Sequence, residues 1–143
     1  MTTSYRIDIA HRLVISRGAG VVNGAELTAH AQTLRVDPRF DPEFRQLLDF
    51  SNVERVISSY AAIRGMTRIA PFARTARRVA VIQQDVVYGL FRMYELLLDG
   101  PEGQLSAVKT LDAAFDLLDI SAADREAVMA PPDREFDAAA GVE

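Results

Sequence analysis

The chain of 143 residues contains no cysteine and no tryptophan. Without thiols, disulfide scaffolds, thiolate nucleophiles, cysteine-ligated zinc and iron–sulfur clusters are excluded. Its 8 glycines and 6 prolines are too few for a collagen-like or low-complexity chain. Lysine occurs once, as Lys109 before Thr110, with no glycine pattern ahead of it, so P-loop nucleotide chemistry is out. No apolar run approaches the roughly 20 residues of a membrane-spanning helix. The opening MTTSYRIDIAHR lacks the basic start and apolar stretch of a secretory signal. These absences lead us to expect a cytoplasmic protein without a transmembrane segment.

What is present suits one globular domain: 49% of residues are apolar and 25% charged. The net charge of −4 is uneven, because residues 119–143 hold seven acids against Arg125 and Arg134, which leaves the rest of the chain near neutral. One basic cluster, Arg64, Arg68, Arg74, Arg77 and Arg78, reads as a solvated helix end with some capacity to attract an anion or an acidic partner. Nothing resembles a nucleic-acid footprint, and no nucleic-acid partner is expected.

The apolar period switches repeatedly between two and about three and a half residues. Tyr5, Ile7 and Ile9 alternate with polar residues, and Leu13–Ile15 resume after a turn, predicting a hairpin whose second strand ends at Gly18–Gly20. Asn23 with Glu26 forms a capping-box variant for a helix through Leu27, Ala31 and Leu34, which Asp37-Pro38 stops. Arg45–Phe50 reads as a strand, followed by a polar connection from Ser51-Asn52. Ser58 or Ser59 then caps a helix with Ile63, Met66 and Ile69 on one face. Arg78–Gln83 reads as a buried strand, and Asp85 opens a helix closed by Gly100-Pro101. Leu105–Lys109 is a last strand before Thr110 caps a helix through Leu118.

The expected architecture is therefore α/β: a single-layer mixed sheet in the order β-β-α-β-α-β-α-β-α, its later strands returning through helical crossovers. Residues 121–143 form an acidic C-terminal tail, expected to be a short helix and then disordered beyond Pro131-Pro132.

Catalytic chemistry finds no positive case. Gly18-Ala19-Gly20 before Gly24 places the third glycine one residue late for a dinucleotide loop. His11 and His30 share no ligand spacing and read as surface residues; Asp112 and Asp116, one helical turn apart, fit a solvent face better than a metal site. No G-x-S-x-G turn supports a serine nucleophile. The expectation is a protein that is not an enzyme and has no cofactor and no metal.

The segment LLDFSNVERVISSYAAIRGM is the richest in the chain. Paired serines at a helix start would place an added phosphate on free backbone amides at the positive dipole end. With the order of elements, the strand-ending Asp49-Phe50-Ser51 and the pair Ser58-Ser59 resemble the STAS domain, and more closely its SpoIIAA-like relatives, which are related to the SEC14/CRAL-TRIO lipid-binding group. Ile57 and Tyr60 stand where the family's paired-serine motif has aspartate and glycine. The resemblance spans roughly residues 5–118, and the SpoIIAA-like (STAS) domain is drawn at residues 1–120.

This resemblance implies a non-catalytic regulatory or protein-interaction module, with Ser59 and Ser58 as a phosphorylation or anion site. Asn52, Arg55, Tyr60, Arg64 and Arg68 are the expected partner-binding surface. The alternative is a carrier or sensor of a small apolar ligand or lipid, with Tyr88, Phe91, Tyr94 and Leu98 as its ligand surface or as a homodimer surface, because that helix carries more apolar surface than one face requires.

Overall fold

The computed structural model describes residues 2–98 and 104–137. Six strands form one mixed sheet: β1 (Thr3–Asp8), β2 (Leu13–Asn23), β3 (Arg45–Ile57), β4 (Arg78–Ile82), β5 (Leu105–Val108) and β6 (Arg134–Phe136). The helices are α1 (Gly24–Arg35), α2 (Tyr60–Ile69), α3 (Asp85–Leu98), α4 (Leu111–Leu117) and α5 (Arg125–Val128), the last preceded by a 3₁₀ turn at Ala122–Asp124. The spatial order is β5-β4-β3-β2-β1-β6. β1 is antiparallel to both β2 and β6, whereas β2, β3, β4 and β5 run parallel. The α/β class and the mixed sheet follow from the alternating periods. Gly100-Pro101, read as the end of α3, lies outside the described residues.

Local signals place several helix starts. Asn23 Oδ1 accepts from Glu26 N at 2.8 Å and Glu26 Oε1 accepts from Asn23 N at 3.0 Å, closing both halves of the capping box. Ser59 Oγ accepts from Ala62 N at 3.0 Å, and Thr110 Oγ1 from Ala113 N at 3.1 Å.

Three boundaries differ from the sequence reading. β2 does not end at Gly18–Gly20; it runs to Asn23 with register shifts on β3 after Arg17 and after Gly20. The glycines permit this for separate reasons. A Cβ at Gly18 would lie 2.9 Å from both the Phe50 ring and a Val53 methyl, and Gly20 sits at φ +66, in the left-handed region. β3 does not stop at Phe50. It continues to Ile57, with Val53 buried and residues 52–57 paired only with β2, because β4 ends opposite Phe50. Finally, residues 134–136, left without structure by composition, form β6. Phe136 packs on Tyr5 and His30, Asp133 Oδ2 accepts from Ile7 N at 2.9 Å, and Arg39 binds the same carboxylate at 3.1 Å.

The sheet has two covered faces. On one, Leu13, Ile15, Leu47, Val79 and Val81 meet Ala114, Phe115, Leu118, Ile120 and Val128 in a continuous core. On the other, α1, α2 and α3 cover the alternate residues of β2, β3, β4 and β5. There Val22, Phe50, Val53, Ala80 and Ile82 pack with Val87, Phe91 and Leu105. A third cluster of Tyr5, Ile7, Val14, Leu34 and Phe44 closes the end near β1.

Candidate functional site

The second face is incompletely filled. Between the sheet and α1–α3 lies a cavity of about 160 Å³, measured at the centres of water-sized molecules. Apolar cavities of roughly 150 Å³ take up benzene, so this one encloses a ligand body of about six non-hydrogen atoms and, being open to solvent, lets a longer chain extend from it.

Strand alternation decides the floor: Gln46, Leu48 and Phe50 of β3, Arg78 and Ile82 of β4, and Leu105 of β5. Helical periodicity decides the roof: Leu27, His30, Ala31 and Leu34 from α1, Ile63 and Met66 from α2, and Val87, Leu90, Phe91 and Tyr94 from α3. Pro71 and Phe72 contribute from the segment between α2 and β4. The cavity is open to solvent on one side and its wall is mostly hydrocarbon, the usual character of a small-molecule site.

The polar groups in this wall are few: Thr3, Arg17, His30, Gln46, Arg78 and the hydroxyl of Tyr94, with no carboxylate among the described lining residues. The Arg17 guanidinium is turned to the carbonyls of Met129 and Ala130. Gln46 Nε2 donates to Ser16 Oγ at 3.0 Å. Arg78 is 3% exposed, with its guanidinium carbon 5.7 Å from the centre of the Phe72 ring. His30 is 8% exposed, edge-on to Tyr5 and tilted against Phe136, each ring centre 5.4 Å away. Burial pushes its pKa down to about 4, against a hydrogen bond to the Ser4 backbone that raises it. The ring is therefore neutral at pH 7. Among the described residues no group hydrogen-bonds to His30 Nε2 or to Thr3 Oγ1, although both atoms are buried.

His30 is the plain correction to the sequence reading, which put it on the surface. It lies three residues after Leu27 and four before Leu34, so the apolar stripe that places those leucines also places His30 inward. Arg78 likewise leaves the solvated arginine cluster: it is the first residue of a strand buried on both faces. The signal for it was the parity it shares with Ala80 and Ile82.

The residues singled out from sequence divide into groups. Phe91 and Tyr94 line the cavity, and Leu98 packs in the same cluster. Tyr88, on the same helix, points outward and is 41% exposed. Asn52 and Arg55 are exposed on the distal half of β3, and Tyr60, Arg64 and Arg68 recur at four-residue spacing on the outer side of α2. Ser59 is exposed as the α2 cap, while the Ser58 hydroxyl is buried, with no hydrogen-bond partner among the described residues. His11 contacts Asp8 at 3.0 Å and Asp124 at 3.5 Å, and hydrogen bonding to Asp8 raises its pKa. Arg125 bridges Asp112 and Asp116 at 3.0 and 2.7 Å. No helix among the described residues is long and apolar enough to cross a membrane.

Comparison with known proteins identifies no matching family model, no matching curated protein and no matching solved structure.

Proposed function

We propose that the chain is a non-catalytic, cytoplasmic binding module, a carrier or sensor that seats a small, mostly apolar molecule between its sheet and α1–α3. The cavity carries this reading: a folded core rarely leaves such a space under three helices when rotamer choice could close it. The hairpin-started order of strands and crossovers supports affiliation with the STAS, SpoIIAA-like group. Native mass spectrometry of the purified protein, with Ala31→Leu as a variant that intrudes on the cavity, tests the proposal. A bound mass of small-molecule size, displaced in the variant, is expected. Wild-type protein that neither carries nor takes up any C8–C10 amphiphile overturns it.

A second reading, a regulatory module that binds a protein partner, is favoured by one observation. The same helix that lines the cavity with Ile63 and Met66 presents Tyr60, 55% exposed, together with Arg64 and Arg68 to the outside. Ile57, 49% exposed, adds apolar surface beside the Ser59 cap. Occupancy of the cavity would then be transmitted by displacement of α2, and the two readings become input and output of one sensor. A Tyr60→Ala, Arg64→Ala double variant that keeps ligand uptake and every protein contact of the wild type removes this second reading.

A further inference from the structure

We propose that the ligand of this cavity is a small neutral amphiphile with a hydroxyl head, which donates to His30 Nε2 and accepts from Thr3 Oγ1. This inference rests on the cavity being a ligand site.

Polar atoms buried in a native fold are nearly always hydrogen-bonded, so each orphan asks for a reason. Here three such buried atoms belong to residues lining the same cavity, His30 Nε2 on α1, Thr3 Oγ1 on β1 and Arg78 Nε on β4. The Arg78 guanidinium is engaged elsewhere, on the Phe72 ring among others, so the two neutral groups are the ones that ask for a ligand. His30 is held by Tyr5 and Phe136, so its ring position is determined by packing that gives nothing to Nε2. The Ser4 backbone bond raises the imidazole pKa, as a ring N–H donated to a carbonyl does. Because Nε2 itself has no partner among the described residues, we assign that bond to the other nitrogen, which makes Nε2 of the neutral ring a bare acceptor. A carboxylate head would set one lone pair against another at this point. An alkane or ether would leave the acceptor unmet. Only a ligand that brings a proton on oxygen or nitrogen completes it. Thr3 Oγ1 can donate in return, and a hydroxyl is the smallest group that does both. A charged ammonium would have to shed its water beside aromatic rings and hydrocarbon, which disfavours it. The apolar lining takes the alkyl body.

Three probes of nearly equal size separate the alternatives: 1-nonanol, its isomer methyl octyl ether, and octanoate. Affinities are read by isothermal titration on the full chain at pH 7.5, for wild type, His30→Phe and Thr3→Val. Phenylalanine keeps a ring between Tyr5 and Phe136 but has no acceptor, and valine keeps the shape of threonine.

The expected result is an alcohol-to-ether affinity ratio that falls by about 10- to 100-fold in His30→Phe while ether affinity stays within about twofold. A smaller fall in the same direction is expected in Thr3→Val. If His30→Phe does not fold, Thr3→Val alone decides, and an unchanged ratio there overturns the proposal. An unchanged ratio in His30→Phe, or octanoate binding tighter than 1-nonanol, overturns it while leaving the cavity as a ligand site. Failure of all three probes to bind wild type overturns the cavity reading as well.

Discussion

The two faces of the sheet are built from the same strands yet filled differently. The α4–α5 face packs a continuous apolar core, with Leu118, Val128 and Ala114 fully buried and Arg17 and Arg45 confined to backbone carbonyls at its margins. The α1–α3 face carries Ser16, Gln46, Arg78 and His30 among its apolar residues and keeps an internal space. One face is organised for stability and the other gives up contacts for room. The contrast teaches where substitutions should cost most.

The largest effect should come from opening the solid face. Leu118→Ala is expected to cost about 3 kcal/mol in a urea melt, whereas Leu90→Ala, at the cavity wall and only half-buried, should cost about 1 kcal/mol. Equal losses would erase the distinction between the faces.

A comparable effect is expected from acid. The folded pKa of His30, about 4, lies below the 6.5 of the free side chain, so the unfolded chain takes up a proton first as pH falls. The stability tied to the neutral ring is complete above pH 6.5 and drains between 6.5 and 4, by about 3 kcal/mol in all. His30→Phe should flatten that part of the stability–pH curve. A wild-type midpoint that holds steady from pH 7 to 4.5 contradicts the burial described here.

Filling should act in opposite senses on the two faces. Ala114→Leu, forced into the solid core, should destabilise by about 1–3 kcal/mol. Ala31→Leu, which has space before it, should be neutral or stabilise by up to about 1 kcal/mol while abolishing binding of 1-nonanol. A smaller loss, about 1 kcal/mol, is expected from Ser59→Ala, which removes the side-chain cap of α2.

The smallest effect concerns His11, whose sign is opposite to that of His30. Its pKa is raised by the hydrogen bond to Asp8, so its contribution is present below pH 6.5 and is lost as pH rises through the folded value. His11→Gln should remove that alkaline slope without touching the acid one. The reverse pattern in the two variants would mean the histidines have been exchanged in role.

Legibility in the sequence follows the same division. Period and capping made the strand–helix order readable because each signal is local: Asn23 with Glu26, Ser59, Thr110, the β-branched run of β4. The cavity was not readable, because empty space has no residue to announce it. It depends on how far α1, α2 and α3 stand off the sheet. His30 and Arg78 were lost for a narrower reason, since charge and polarity were given more weight than position in a stripe. β6 was missed because three residues beyond two prolines carry little pattern, and it is held by partners far away in sequence, Tyr5, Ile7 and Arg39.

The unequal lengths of β3 and β4 have a mechanical consequence. Up to Phe50, β3 is laced on both sides; from Asn52 to Ile57 it is laced to β2 alone. α2 hangs from the tip of that cantilever rather than from the body of the sheet. Thermal opening should therefore begin there, and amide hydrogens of residues 52–57 should exchange well ahead of those of residues 46–50. Because Ile63 and Met66 ride on the same tip, bending there should shift the roof of the cavity while the pairing of residues 46–50 with β2 and β4 stays intact.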